Sequence, residues 1–243
     1  MLQLEHVAWD LPSGDGIIKD VSLTAENGKL VVVTGPNGGG KTSLAKLIAG
    51  IEQPSAGSIR LDGEDITSLG ITERAQKGIA YAFQQPVRFK GLAVRDLLEL
   101  AAGKPLEEAA LCDLLSRVGL CAEEYVDREL SAALSGGEMK RIEIASVLAR
   151  RARVIIFDEP EAGIDLWSFS RLVSTFEELR RQSQGTLLVI SHQERILSIA
   201  DDIVVIAEGR VRAAGPREDI LSGLLADEHA VRCPRGKEAL RFE

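Results

Sequence analysis

The chain has 243 residues, 45% hydrophobic and 27% charged, with a formal net charge of −8. That balance is ordinary for a globular chain with a sizeable core, and the acidic excess argues against a general grip on nucleic acid, which needs a basic footprint. No apolar run approaches the ~20 residues needed to cross a bilayer, and MLQLEHVAWD has neither a basic n-region nor an apolar h-region, so a cytoplasmic protein with no secretory signal and no membrane insertion is expected.

In chain order, residues 2–9 and 21–26 read as short strands around the turn-rich PSGDG, which predicts an antiparallel edge sheet. Val- and Ile-rich runs at 30–34, 79–83, 154–157, 186–190 and 203–206 alternate with longer helical patterns, as in an α/β sheet covered by helices. Between about 86 and 133 the strand signals vanish. There 94–102 and 106–118 carry the apolar spacing of amphipathic helices, so a helical insertion between two sheet-forming halves is expected. A turn at Glu208-Gly209 joins two short strands, and a last helix is predicted from Pro216, where the missing N–H costs nothing. The segment RCPRGKEALRFE is polar and expected to be loosely held. Cys112, Cys121 and Cys233 are odd in number and form no CxxC pair. They read as two partly buried thiols and a bystander in the tail, with no disulfide framework or zinc site.

Two motifs carry chemistry. Residues 31–33 run into GPNGGGKT and then the helical pattern SLAKLIAG, which is a phosphate loop in its required strand–loop–helix context. Gly35, Pro36, Asn37, Gly38, Gly39 and Gly40 are expected to turn backbone N–H groups onto phosphates. The helix start adds its partial positive charge. Lys41 is placed to reach the β- and γ-phosphates, Thr42 to ligate Mg²⁺ and Ser43 to meet the α-phosphate. Further on, residues 154–157 deliver Asp158 and Glu159 at a strand's C-terminal end, where ligands bind in open α/β sheets. Asp158 is expected to hold Mg²⁺ and Glu159 to polarise an attacking water as general base. The run LSGGE precedes a helix over about 139–150, with Ser135 as N-cap and Glu138 in the first turn. That helix start is a second anion site.

With Gln84 after IAYAF, Asp165 in EAGID and His192 after LLVIS, these motifs in order resemble the ATP-binding-cassette (ABC) ATPase family along nearly the whole chain. The resemblance implies a P-loop NTPase fold over residues 1–243. In it, 1–85 and 152–243 form a RecA-like core with an antiparallel β subdomain, and 86–151 form a helical subdomain bearing the signature motif. It implies ATP and Mg²⁺ as ligands, with Gln84 sensing the metal and γ-phosphate, Glu159 as the catalytic carboxylate and His192 as the switch histidine. Asp165 belongs to the loop that crosses between subunits. Ser135, Gly136 and Gly137 would close on ATP held by a second copy, giving an ATP-dependent head-to-tail homodimer. The family commonly stacks adenine on an aromatic at the position of Leu11; here Trp9 is the candidate instead.

AFQQPVRFKG, SGGEMKRIEIASVLAR and Leu11 resemble, within that family, the SufC-type ATPases of iron–sulfur cluster assembly. That resemblance implies a soluble SufB/SufD-like scaffold as partner, docked near residues 85–91, and no iron ligand on this chain. The alternative reading is the ATP-binding subunit of a membrane transporter. About fifty residues separate Gln84 from Leu134, too few for the long coiled coils of DNA-repair cassettes, and the intact Glu159 and His192 speak against a nucleotide switch without turnover. Arg150, Arg151 and Arg153 are expected to complement the C-terminus of the signature helix.

Overall fold

The computed structural model describes residues 1–85, 89–131, 134–150, 152–182 and 184–228. The first half opens with β1 (Leu2–Asp10), β2 (Gly16–Ala25), β3 (Leu30–Thr34) and α1 (Lys41–Ala49). It continues through β4 (Ala56–Leu61), β5 (Glu64–Asp65), α2 (Ile71–Gln76) and β6 (Ile79–Ala82). Four helices follow: α3 (Val94–Ala102), α4 (Glu108–Arg117), α5 (Ala122–Tyr125) and α6 (Gly136–Ala149). The chain then returns to the sheet with β7 (Val154–Asp158), α7 (Leu166–Gln182), β8 (Thr186–Ile190) and α8 (Glu194–Leu197). It closes with β9 (Asp202–Ala207), β10 (Arg210–Pro216) and α9 (Arg217–Glu228).

The strands line up in the order β5-β4-β1-β2-β10-β9-β3-β8-β7-β6. Strands β9, β3, β8, β7 and β6 pair in parallel, and β1 pairs antiparallel with β2 and β4. The join is β10, antiparallel to β9 and bridged to β2 at Arg210 and Asp20. The edge sheet expected from the sequence is therefore continuous with the parallel one, because the hairpin after Ala207 closes the seam.

Alternation along the buried strands sorts their side chains to two cores. Leu30, Val32, Ile155, Phe157, Leu187 and Val189 face one side and pack with α3, α4, α6 and α7. Val31, Val33, Val154, Ile156, Leu188 and Ile190 face the other and pack with α1 and the N-terminal strands. Period-2 alternation with both faces apolar is what a parallel sheet covered on two sides requires. Each parallel strand therefore ends at the same edge. That edge gathers Thr34, Asp158 and Ile190, from which the functional loops spring.

The structure departs from expectation at three places. The strands β4 and β5 and the helix α2 carry few apolar residues, and Ala56–Leu61 becomes a strand because β1 offers it a partner. Cys112 and Cys121 are exposed, not partly buried, because α4 buries Leu111 and Leu115, and Cys121 sits at the start of α5. Cys233 lies outside the described residues. The arginine cluster does not complement α6: Arg150 donates to the Ala75 carbonyl at 3.4 Å and Arg153 pairs with Asp62 at 3.5 Å, while Arg151 is outside the described residues. Among the described residues, no helix is long and apolar enough to cross a membrane.

Candidate active site

The loop between β3 and α1 is held by close backbone packing. Gly35 has φ +130°, and a Cβ there would meet the Ile206 carbonyl oxygen at 2.0 Å. At Gly40, φ +103°, a Cβ would meet Ile18 Cδ1 at 2.7 Å. Only glycine takes this path against β9 and β2. The loop ends at Lys41, which is 6% exposed and whose Nζ donates to the carbonyls of Gly35 at 2.8 Å and Pro36 at 2.9 Å. Burial lowers the Lys41 pKa, opposed by the charges of Glu159 and Asp158. An ammonium curled back onto its own loop is ready to exchange two carbonyls for an anion. Asn37 and Gly38 are exposed, and Thr42 and Ser43 are half-buried at the start of α1.

Asp158 closes the far side. It is fully buried; its Oδ1 accepts from Thr42 Oγ1 at 3.1 Å and its Oδ2 from Tyr81 OH at 2.8 Å. Burial raises its pKa, with the two hydroxyls pulling the other way. Both donors are neutral, so this carboxylate has no bonded cation and fits as a ligand for Mg²⁺ beside the Thr42 hydroxyl.

Glu159 follows at φ +46°, a left-handed conformation rare for a residue with a Cβ. Its N–H donates to the Ile190 carbonyl at 3.0 Å, and its Oε2 accepts from Gln84 Nε2 at 2.6 Å. The turn thus aims Glu159 toward Gln84, which leaves β6 on the adjacent strand. His192 stands exposed just beyond β8. Partial burial lowers its pKa; Lys41's charge adds to this and Glu159's opposes it. Two neighbours in space from distant parts of the chain, Lys41 and Glu159, therefore act on the same imidazole.

The signature residues lie apart from this cluster. Among the described residues, no hydrogen bond joins Ser135, Gly136 or Gly137 to residues 35–43. Ser135 caps α6 as predicted: its Oγ accepts from the Glu138 N–H at 3.3 Å, and its own N–H donates to Glu138 Oε2 at 2.7 Å. Glu138 also accepts from Tyr125, and these donors, Tyr125 first, hold its pKa at about 2. Ser135 and Gly136 are exposed, so α6 presents its free N–H groups outward. Gly137 packs so closely on the loop before α7 that a Cβ would meet the Gly163 carbonyl oxygen at 2.9 Å. In that loop, Asp165 Oδ1 caps α7, accepting from the Trp167 and Ser168 N–H groups at 3.0 Å each. Trp9 is half-buried against the second core, paired with Ile18, and Leu11 opens the turn after β1.

Five residues of the site were not legible as such in the sequence: Tyr81, Lys140, Glu143, Glu161 and Ser191. Lys140 is fully buried, and its Nζ donates to the carbonyls of Phe83 and, at 3.3 Å, Gln84. Glu143 accepts from the Phe83 N–H at 2.8 Å and pairs with Lys140 at 3.4 Å. Helix α6 thereby holds the chain on which Gln84 stands. The available signal was an i,i+3 pair of opposite charges, one turn apart, between apolar residues that face the core.

The ABC transporter family model matches residues 18–162. The chain belongs to the ABC transporter family. It is an ATPase with the P-loop cassette fold. An uncharacterized ABC transporter ATP-binding protein of Methanocaldococcus jannaschii is 38% identical over 212 residues, 84% of each chain. The lipopolysaccharide export system ATP-binding protein LptB of Escherichia coli is 32% identical over 229 residues, 93% of each chain. A dimeric, post-hydrolysis ATP-binding cassette bound to ADP and Pi shares the fold, with TM-score 0.81 and 21% identity over 89% of this chain and 99% of that one. The expectation of a SufC-type subunit working on a SufB/SufD-like scaffold is overturned by these relatives, which carry transporter names over nearly the whole cassette.

Proposed function

We propose that this chain is the ATP-hydrolysing subunit of a membrane transporter, closing head-to-tail on a second copy with ATP between them. The observation that carries the chemistry is the pair of contacts Thr42–Asp158 and Gln84–Glu159, which brings three segments of the chain to one sheet edge. Residues 35–40 cradle the phosphates with backbone N–H groups, Ser43 adding its hydroxyl at the α-phosphate, and Lys41 leaves its loop carbonyls for the β- and γ-oxygens. Thr42, Asp158 and Gln84 would hold Mg²⁺, which would supply charge neutralisation at the phosphates. Glu159 takes a proton from the water that attacks the γ-phosphate, and His192 steadies the developing charge. Ser135 and Gly136 are exposed and, among the described residues, make no hydrogen bond to residues 35–43, which suits residues that serve a partner's nucleotide. In this reading residues 86–151 form an arm that swings the signature toward that partner.

The transporter assignment comes from the named relatives, and one surface suits it. A groove of about 420 Å³ between β6, α3 and α6 is lined by Phe83, Phe89, Leu97, Leu100 and Met139, with Leu100 68% exposed. It adjoins the start of the Gln84 loop, whose residues 86–88 lie outside the described set. An apolar groove at the root of that loop would let a cytoplasmic helix of the membrane partner act on Gln84. Affinity capture of the tagged chain from native cells, in detergent and after membrane clearance without it, tests the assignment. A polytopic membrane protein recovered in stable ratio only with detergent is the expected result; a soluble partner recovered equally without detergent would refute it.

Lys41→Ala should weaken ATP binding by at least about tenfold, since a buried charge-assisted contact is worth ~1.5–3 kcal/mol. Titration calorimetry reads this directly, and an unchanged affinity would remove Lys41 from the phosphate site.

A further inference from the structure

Glu161 belongs to the turn that leaves β7, two residues after Glu159. The turn is closed by Ala162 N–H to the Glu159 carbonyl at 3.0 Å and Ile164 N–H to the Glu161 carbonyl at 3.1 Å. Its side chain points into the fold, where Oε1 accepts from Ser191 Oγ at 2.6 Å and Oε2 is buried with no hydrogen-bond partner. Burial raises the Glu161 pKa, opposed chiefly by the Ser191 hydroxyl. Keeping a carboxylate in such a place costs stability that a neutral residue would not.

Ser191 is fully buried and immediately precedes His192. Its N–H donates to the Val33 carbonyl at 3.2 Å, and its hydroxyl, besides donating to Glu161, accepts from the Gln193 N–H at 3.0 Å. The hydroxyl therefore fixes the chain on both sides of the histidine, and its orientation is set by the one group that receives its proton. Among the described residues that group is Glu161.

We propose that Glu161 is the positioning residue for His192: its carboxylate locks Ser191 and so fixes the direction in which the chain beyond β8 presents the imidazole to the γ-phosphate. The inference rests on the proposed role of His192. It adds that the Glu161–Ser191 hydrogen bond, beside the Glu159 N–H to Ile190 carbonyl bond, ties the loop bearing Glu159 to the loop bearing His192, so the base and the histidine hold a common frame. A hydroxyl or a carboxylate alone does not achieve this. The pair does, because the serine is both donor to Glu161 and acceptor from Gln193.

Steady-state ATP hydrolysis by the full chain, with Mg-ATP varied, tests it in Glu161→Ala, Glu161→Gln, Ser191→Ala, the double alanine variant and His192→Ala. Misplacing a catalytic group costs on the order of tenfold to a hundredfold in rate. Glu161→Ala and Ser191→Ala should each lower kcat about tenfold with KM within about twofold, and the double variant should be no slower than either, because both break one link. Glu161→Gln keeps an acceptor oxygen for Ser191 and should stay within about threefold of the parent. Loss of function in His192→Ala with undiminished kcat in Glu161→Ala overturns this inference alone. Normal turnover in His192→Ala overturns the reading of His192 and this inference with it. Additive losses in the double variant, or a Glu161→Gln as slow as Glu161→Ala, would make Glu161 a general support of the fold and end the proposal. Should Glu161→Ala fail to fold, Ser191→Ala and Glu161→Gln carry the comparison.

Discussion

Glu159→Gln is expected to bind ATP within about threefold of the parent and to lose turnover by ~10²–10⁴-fold, the range for a general base. The amide can still accept from Gln84, whose Nε2 lies 2.6 Å from Glu159 Oε2, so the geometry around the site survives. It cannot take the proton of the attacking water. The phosphate cradle, Lys41 and the Thr42–Asp158 contact are untouched, so binding energy remains while the step that releases it is gone. With ATP and Mg²⁺ the variant should accumulate as a dimer, seen as a doubled mass in light scattering. Undiminished hydrolysis would remove Glu159 from the base role. A variant that hydrolyses nothing but stays monomeric with ATP would instead count against the head-to-tail dimer.

The second large effect is expected at Lys140. Replacement by Met keeps the stem's volume but removes the only donor that the described structure gives to the Phe83 carbonyl and the ion-pair partner of Glu143. Glu143 is left as an uncompensated carboxylate whose side chain is 13% exposed. Breaking such a buried pair costs about 3–5 kcal/mol, and for a chain of this size each kcal/mol lowers the melting temperature by roughly 2–4 °C. A drop of about 10 °C in calorimetry is expected for Lys140→Met. Adding Glu143→Gln should recover about half of it, since the amide still accepts the Phe83 N–H without an unpaired charge. An unchanged melting temperature in Lys140→Met would show that the pair contributes nothing. Turnover should fall as well, because Lys140 holds the carbonyl of Gln84.

Much of this site is written in local sequence. The phosphate loop is legible because glycine, lysine and threonine at fixed spacing have few other uses between a strand and a helix, and Gly35 packed against Ile206 shows why those glycines are needed. Ser135 as a cap is legible for the same reason, since capping needs only residues three apart. The parallel strands are legible because burial on both faces leaves long apolar runs. What stays hidden depends on tertiary pairing. Ala56–Leu61 offers only the short alternation of Ile59 and Leu61 until β1 supplies its partner, and nothing in Glu161 or Ser191 marks a contact across 30 positions. The exposed Cys112 shows that composition alone places a thiol poorly when the helix phase already assigns Leu111 and Leu115 inward. The choice of partner is not legible in the residues near the Gln84 loop and the signature: the SufC-type expectation drawn from them is overturned by relatives with transporter names.

The left-handed backbone of Glu159 bears on how such a chain decays when its activity ceases to matter. A residue with a long side chain at φ +46° is held there at a cost of about 1–2 kcal/mol, whereas Asn, Asp and especially Gly occupy that region more readily. A duplicated gene freed from selection for turnover would therefore gain stability by replacing the residue proposed as its general base. On the proposed role of Glu159, drift at position 159 would have a direction: toward silent cassettes that still grip ATP, folded better than the working parent.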